Sequence, residues 1–236
     1  MKRTIILLCL LLPLCLVGRA QSLTVEYNIG HGSYQMSDMK DLLKDRVLSL
    51  DDALITDKFP GYVTQDSRIG IEWKRHHLGV LFNYMNTAGK KGIADYSGLC
   101  SYQLRNKGYK TGAFYRFQLA NEKLGIFTFE PYLQLSSGVV LSKVKEEDQL
   151  HLNSTDDIGY RREMKYSGTN FFVEPAFGIK FGLCRYVALN LSVGYEWDAV
   201  RPEIQTEADS PTPPFKVDWS GYRAQAGLIF YLNFKK

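Results

Sequence analysis

Gln225-Ala226-Gly227-Leu228-Ile229-Phe230-Tyr231-Leu232-Asn233-Phe234 closes the chain just before Lys235-Lys236. Apolar and aromatic side chains fall at 226, 228, 230, 232 and 234, a period of two, which puts them on one face of an extended strand. The same period recurs upstream. It predicts strands near Leu23–Tyr34, Ser67–Arg75, His77–Met85, Tyr109–Leu119, Leu124–Val140, Thr169–Gly182, Tyr186–Trp197 and Trp219–Phe234.

The spacing between these eight strands alternates. Short connections sit at Arg75–His77, at Ala120-Asn121-Glu122-Lys123 and at Leu183-Cys184-Arg185, and long ones run over Gln35–Gln65, Asn86–Gly108, Leu141–Gly168 and Asp198–Asp218. Short turns at one end, long loops at the other and an even strand number are the marks of a barrel that crosses a bacterial outer membrane. The expected fold is therefore all-β, one eight-stranded antiparallel transmembrane up-and-down β-barrel, with short periplasmic turns, long external loops and both termini periplasmic.

The two faces of the strands support this over a soluble sandwich or a lipocalin-like barrel. One face is almost wholly apolar, as in Val25, Tyr27, Ile29; Ile69, Ile71, Trp73; Leu78, Val80, Phe82, Tyr84; and Val187, Leu189, Leu191, Val193, Tyr195, Trp197. The other collects Glu26, Glu72, Glu130, Glu174 and Glu196 with Arg68, Lys74, Lys110, Arg116, Lys180 and Arg223, and is expected to face inward. Trp73, Tyr84, Tyr109, Tyr195 and Trp197 lie toward strand ends, where interfacial girdles form.

The amino terminus specifies an address. Lys2 and Arg3 precede an apolar stretch from Ile5 to Val17, and Gly18-Arg19-Ala20 follows. That is the pattern of a secretory signal peptide over residues 1–20, cleaved after Ala20, with residues 21–236 as the barrel domain. Pro13 interrupts the stretch, which at about 13 residues is short of the roughly 20 a membrane helix needs. Cys15 lacks the small residue before it that lipidation wants. Loss of Lys2, Arg3 and Arg19 lowers the net charge from +4 to about +1, which argues against nucleic acid as a partner. Cys100 and Cys184 alone remain of four cysteines, too few for a disulfide framework, and the topology puts them at opposite ends.

The terminal strand resembles the C-terminal signal that the barrel assembly machinery reads. The opening stretch Val25-Glu26-Tyr27-Asn28-Ile29-Gly30-His31-Gly32-Ser33-Tyr34-Gln35-Met36-Ser37-Asp38-Met39-Lys40, together with Phe171-Phe172-Val173-Glu174-Pro175, is similar to the small outer-membrane β-barrel family common in Bacteroidota, eight-stranded barrels of the OmpA/OmpX type. The resemblance implies fold and location in the cell envelope.

Few residues suggest chemistry. The inward charges could line a selective path or relay protons, but eight strands leave a lumen that side chains fill, so the expectation is a paired, plugged interior. Glu130-Pro131 and Glu174-Pro175 are read as bulges or kinks, because proline cannot donate to a ladder; the alternative is a pair of catalytic carboxylates. His31-Gly32-Ser33 invites comparison with outer-membrane lipid hydrolases, yet no acid is evident to orient the histidine. His76 and His77 point oppositely and are read as turn residues. Ser37–Leu50 reads as an amphipathic helix, with Ser37 as N-cap and Met39, Leu42, Leu43, Val47 and Leu48 on one face, capping the mouth or meeting a partner.

The expected function is that of a non-enzymatic barrel acting through external loops in surface binding, adhesion or envelope stabilisation. Alternatives are a lipid-modifying hydrolase and an accessory subunit of a transport or secretion assembly. No catalytic, cofactor-binding or metal residues are assigned. The expected partners are outer-membrane lipid and lipopolysaccharide, the assembly machinery and an extracellular ligand.

Overall fold

A computed structural model describes residues 22–45, 54–96, 98–124, 127–153, 158–204 and 214–233. The signal peptide expected over residues 1–20 lies outside the described residues. In chain order the elements are β1 (Ser22–Gly32), α1 (Ser37–Asp45), β2 (Leu54–Lys58), β3 (Tyr62–Trp73), β4 (His76–Asp95), β5 (Gly98–Gln118), β6 (Glu122–Leu124), β7 (Phe127–Leu152), β8 (Ile158–Cys184), β9 (Val187–Val200) and β10 (Gly221–Asn233).

Eight of these strands close a ring. The order β4-β3-β1-β10-β9-β8-β7-β5 returns from β5 to β4, and every pairing is antiparallel. The first and last strands pair from Ser22↔Asn233 to Gly32↔Arg223. Closure leaves the ring without a free edge, which satisfies backbone groups that hydrocarbon could not. Strand β2 lies off the ring against the upper part of β4, and β6 folds back on the start of β7.

The outside is an apolar belt. Val25, Tyr27, Ile29, Ile69, Leu78, Val80, Phe82, Leu133, Leu135, Phe177, Val193 and Phe230 are exposed, while Glu26, Arg68, Lys110, Arg116, Glu174, Lys180, Glu196 and Arg223 are buried inside. That polarity is the reverse of a soluble barrel and is stable only with hydrocarbon around it. The chain is a transmembrane barrel. Unboiled protein is expected to migrate apart from boiled protein on a denaturing gel, and identical migration would contradict a closed ring.

Two of the four expected loops are not loops. Strands β4 and β5 stay paired from His76↔Phe117 up to Asp95↔Gly98, and β7 and β8 from Thr128↔Gly182 to Leu152↔Ile158. Together with β2 on the other edge of β4 they form a five-stranded wall that stands above the rest of the ring. The amphipathic sense inverts along it. In the belt the outward residues are apolar and the inward ones polar; higher up, Lys90, Lys107 and Lys143 face outward while Met85, Leu104 and Val144 are buried inward. Above the bilayer water lies outside, so a strand there follows the rule of a soluble sheet. A reading that requires the apolar face to stay outward stops at the inversion.

The prolines also depart from expectation. Register passes through Glu130↔Lys180, Pro131↔Ile179 and Leu135↔Pro175 without a shift. On the β9 side, Val173↔Trp197 and Ala176↔Gly194 keep one register while the pairing lapses between them. Pro175 thus costs ladder bonds without inserting a residue: of the bulges or kinks predicted at the Glu-Pro pairs, no bulge forms. Register shifts instead fall at Phe171/Phe172 and Gly182/Cys184.

Helix α1 covers the mouth. Its described span ends at Asp45, and the rest of the predicted helix lies outside the described residues. Met39 and Leu43 are fully buried, packed with Met36, Phe59, Met85 and Leu104. Asp38 in the first turn accepts from the Lys216 amide (3.1 Å), and Lys44 in the last turn meets Asp41 (3.0 Å); both signs suit the helix dipole.

Candidate functional site

The interior is filled by three layers of charge below an apolar stopper. At the turn end, Lys180 Nζ lies 3.0 Å from both Glu72 and Glu130. Register sets this up, since Glu130 is directly opposite Lys180 across β7 and β8. Above the lysine, His77 Nε2 is 2.7 Å from Thr24 Oγ1, and its ring meets Phe114 edge-on at 5.0 Å. Glu72, His77, Arg116, Gln118 and Lys180 close together here with no room for a water molecule between them.

The middle layer centres on Glu26. Arg116 (3.1 Å) and Arg68 (3.4 Å) reach its carboxylate, and the Asn28 and Asn190 amides each donate to it at 2.8 Å. Arg68 Nε also lies 2.6 Å from Asp66. Gln134 Oε1 accepts from Arg68 (3.0 Å) and Arg116 (2.9 Å). The Tyr132 ring lies 4.1 Å from the Arg116 guanidinium, and its hydroxyl donates to Asn190 at 2.7 Å. Tyr132 fits because position 178 is glycine: a Cβ there would sit 2.3 Å from the ring.

In the upper layer Lys110 bridges Glu174 and Glu196, the latter at 2.8 Å, and Arg223 pairs with Glu196 at 3.1 Å. The lysine also lies 4.2 Å from the centre of Phe172. The middle and upper layers each balance their own charge, the condition for burying ions at all, while the turn-end layer sets one lysine between two carboxylates that keep some exposure.

Trp219 is the stopper. Fully buried, it donates through Nε1 to Ser142 (2.8 Å) and through its amide to Asp198 (2.9 Å), while its carbonyl accepts from Arg223 (2.6 Å). Its ring meets Tyr34 edge-on at 5.1 Å and lies over Gly108, where a Cβ would come within 2.9 Å. Burial pushes the Tyr34 hydroxyl up to about 12, so it stays protonated at neutral pH. Phe215, Val217 and Ile204 extend the stopper toward α1.

All five predicted inward acids are in the lumen, as are Arg68, Lys110, Arg116, Lys180 and Arg223. Lys74 is not: it occupies the β3–β4 turn at φ 54°, exposed, with its ammonium 5.3 Å from the Trp73 ring. A tight turn takes that residue out of strand alternation. His77 is not a turn residue but a lumen residue, since β4 begins at His76. His76 points outward and lies 2.7 Å from Tyr115 Oη. Asp66, Asn28, Asn190, Gln134 and Gln225 belong to the network and were missed. Asp66 lies one residue ahead of the strand predicted from Ser67, and the other four share the parity of Glu26 and Arg68 but, being uncharged, gave no reason to single them out.

The possible catalytic groups are not brought together. Glu130 and Glu174 serve different layers. His31 lies against Gly61, and Ser33 Oγ accepts from the Tyr222 amide at 2.9 Å; among the described residues no hydrogen bond joins His31 to Ser33. Cys100 stands high on β5 and Cys184 at the turn end of β8. At the rim, Tyr96, Tyr160, Leu152 and Leu54 are exposed.

No protein-family model matches the chain, and no curated protein matches it in sequence. Among solved structures it is similar to outer membrane protein OprG from Pseudomonas aeruginosa, at 9% identity and TM-score 0.48 over 91% of this chain and 97% of that one. It is also similar to Neisserial surface protein A, at 12% identity and TM-score 0.41 over 90% and 97%, and to the attachment invasion locus protein Ail of Yersinia pestis, at 13% identity and TM-score 0.36 over 89% and 98%.

Proposed function

We propose that the protein is a closed, non-enzymatic outer-membrane barrel that works as a surface contact, presenting the tip of its tall wall outside the cell. In this reading residues 1–20 are a cleaved signal peptide, the short turns and both termini are periplasmic, and the hairpins face outward. The sealed lumen carries the argument. Charge layers and the Trp219 stopper leave no continuous path, and no pair of reactive groups is poised together among the described residues. What the molecule offers a partner is its exterior, where Tyr96 and Tyr160 stand exposed near the crest of the wall, aromatic residues of the kind that recognition of a macromolecule favours.

Two measurements test this. Folded protein in planar bilayers is expected to show no steady conductance; a stable ohmic current would overturn the closed lumen. Cells displaying the chain are expected to adhere to arrays of immobilised matrix proteins and glycans, and cells displaying Tyr96→Ser/Tyr160→Ser to lose that adherence. Equal adherence at equal display would remove the tip as the contact.

A further inference from the structure

The outward face of the wall is basic in a narrow band where the strands leave the apolar belt. Strand register resolves it into rows. The upper girdle is Tyr84 opposite Tyr109, rings 5.5 Å apart, with Leu141 beside Tyr109 on β7. The next outward row is Asn86, Lys107, Lys143, Ser167, and the one above it Ala88, Arg105, Lys145, Lys165. Five bases and no acid occupy two adjacent rows. The acids come only in the third row, Lys90, Gln103, Glu147, Glu163.

Those acids reach down to part of the band. Lys145 pairs with Glu147 and with Glu163 (2.9 Å), and Lys165 with Glu163 (3.2 Å). Lys107, Lys143 and Arg105 have no carboxylate at ion-pair distance among the described residues, and all three are exposed. Lys107 stands directly opposite Lys143, and Arg105 opposite Lys145. Like charges facing each other across strands destabilise a sheet; Lys145 is offset by its two glutamates and Arg105 donates to Gln103 (3.2 Å), so it is the Lys107–Lys143 pair that calls for an anion between its members.

We infer that Lys107, Lys143 and Arg105 bind the phosphates of a glycolipid headgroup in the leaflet surrounding the barrel. The band lies on the same outward face as the lipid-facing residues below it. It begins roughly 7 Å of strand above the girdle, within the headgroup zone that flanks the hydrocarbon. It faces away from the mouth, where a soluble ligand would arrive. Lys143, 5.5 Å from the Tyr109 ring, is held at that depth by a residue type that marks the interface. The inference rests on the membrane orientation proposed above and adds a partner of stated chemistry.

The test uses folded mature protein in phosphatidylcholine nanodiscs carrying either bisphosphorylated lipid A or the same lipid dephosphorylated, with co-retained lipid counted by native mass spectrometry after detergent exchange. The bisphosphorylated lipid is expected to be retained preferentially. Lys107→Gln/Lys143→Gln/Arg105→Gln should weaken that retention roughly a hundredfold, at about a factor of five for each charge lost. A Lys90→Gln/Arg161→Gln control, altered higher on the wall, should keep it. Heat-modifiable migration establishes that each variant has folded. Wild-type protein that inserts but retains both lipids equally would overturn the inference while leaving the barrel intact. A triple variant that retains the phosphorylated lipid like wild type would overturn it too, as would capture of soluble heparin fragments with no preference among the lipids. Failure to insert into the nanodisc at all would instead remove the membrane reading beneath it.

Discussion

Glu26→Leu is expected to lower the unfolding free energy by about 3–5 kcal/mol, because it strands the buried Arg116 guanidinium without a carboxylate and leaves Arg68 with Asp66 alone. Asn28 and Asn190 lose an acceptor as well. Denaturant unfolding in lipid vesicles measures the loss. The mechanism makes a second demand: Glu26→Leu/Arg116→Met removes one charge of each sign and should recover much of the deficit, whereas Arg116→Met alone should not be mild. A single-variant loss below about 1 kcal/mol would mean that water screens the middle layer and that the lumen is open.

Trp219→Ala carries the next largest expected effect. It removes a fully buried indole, the hydrogen bond to Ser142 and the contact with Tyr34, at a cost of about 3–5 kcal/mol. The β9–β10 connection that holds Trp219 should become sensitive to protease. Conductance should nonetheless stay absent, since the three charged layers lie below the stopper and are untouched. A stable current in this variant would show that Trp219, and not the ion network, seals the barrel.

How much of this was legible in the sequence depends on which solvent a strand meets. Within the bilayer one face sees hydrocarbon throughout, so period-two alternation marks strands such as Tyr186–Trp197 and assigns Glu26, Arg68, Glu174 and Arg223 inward without ambiguity. Above Tyr84 and Tyr109 the same strands keep their backbone pairing but exchange solvents, and a pattern keyed to one polarity reads Asn86–Gly108 and Leu141–Gly168 as loop. The stopper was illegible for another reason. Phe59 comes from the β2–β3 connection and Phe215 and Trp219 from the β9–β10 connection, far apart in sequence, and only the closed ring brings them over one mouth. Lys74 and His77 were misplaced because two residues of turn decide their parity, less than the margin with which a strand end is read.

The unequal heights of the strands have a geometric consequence. From Tyr109 to Gly98 the wall runs roughly 36 Å of strand beyond the girdle, while β9, β10, β1 and β3 end close to it. The molecule is a windbreak on one arc of a cylinder. With the hairpins outward, as proposed, the crest stands well above the low arc on the outer side. A large body arriving from outside meets the crest first and can settle only toward the low arc. Neighbouring barrels can press close along the low arc as well, so lateral crowding and capture from outside would compete for one flank.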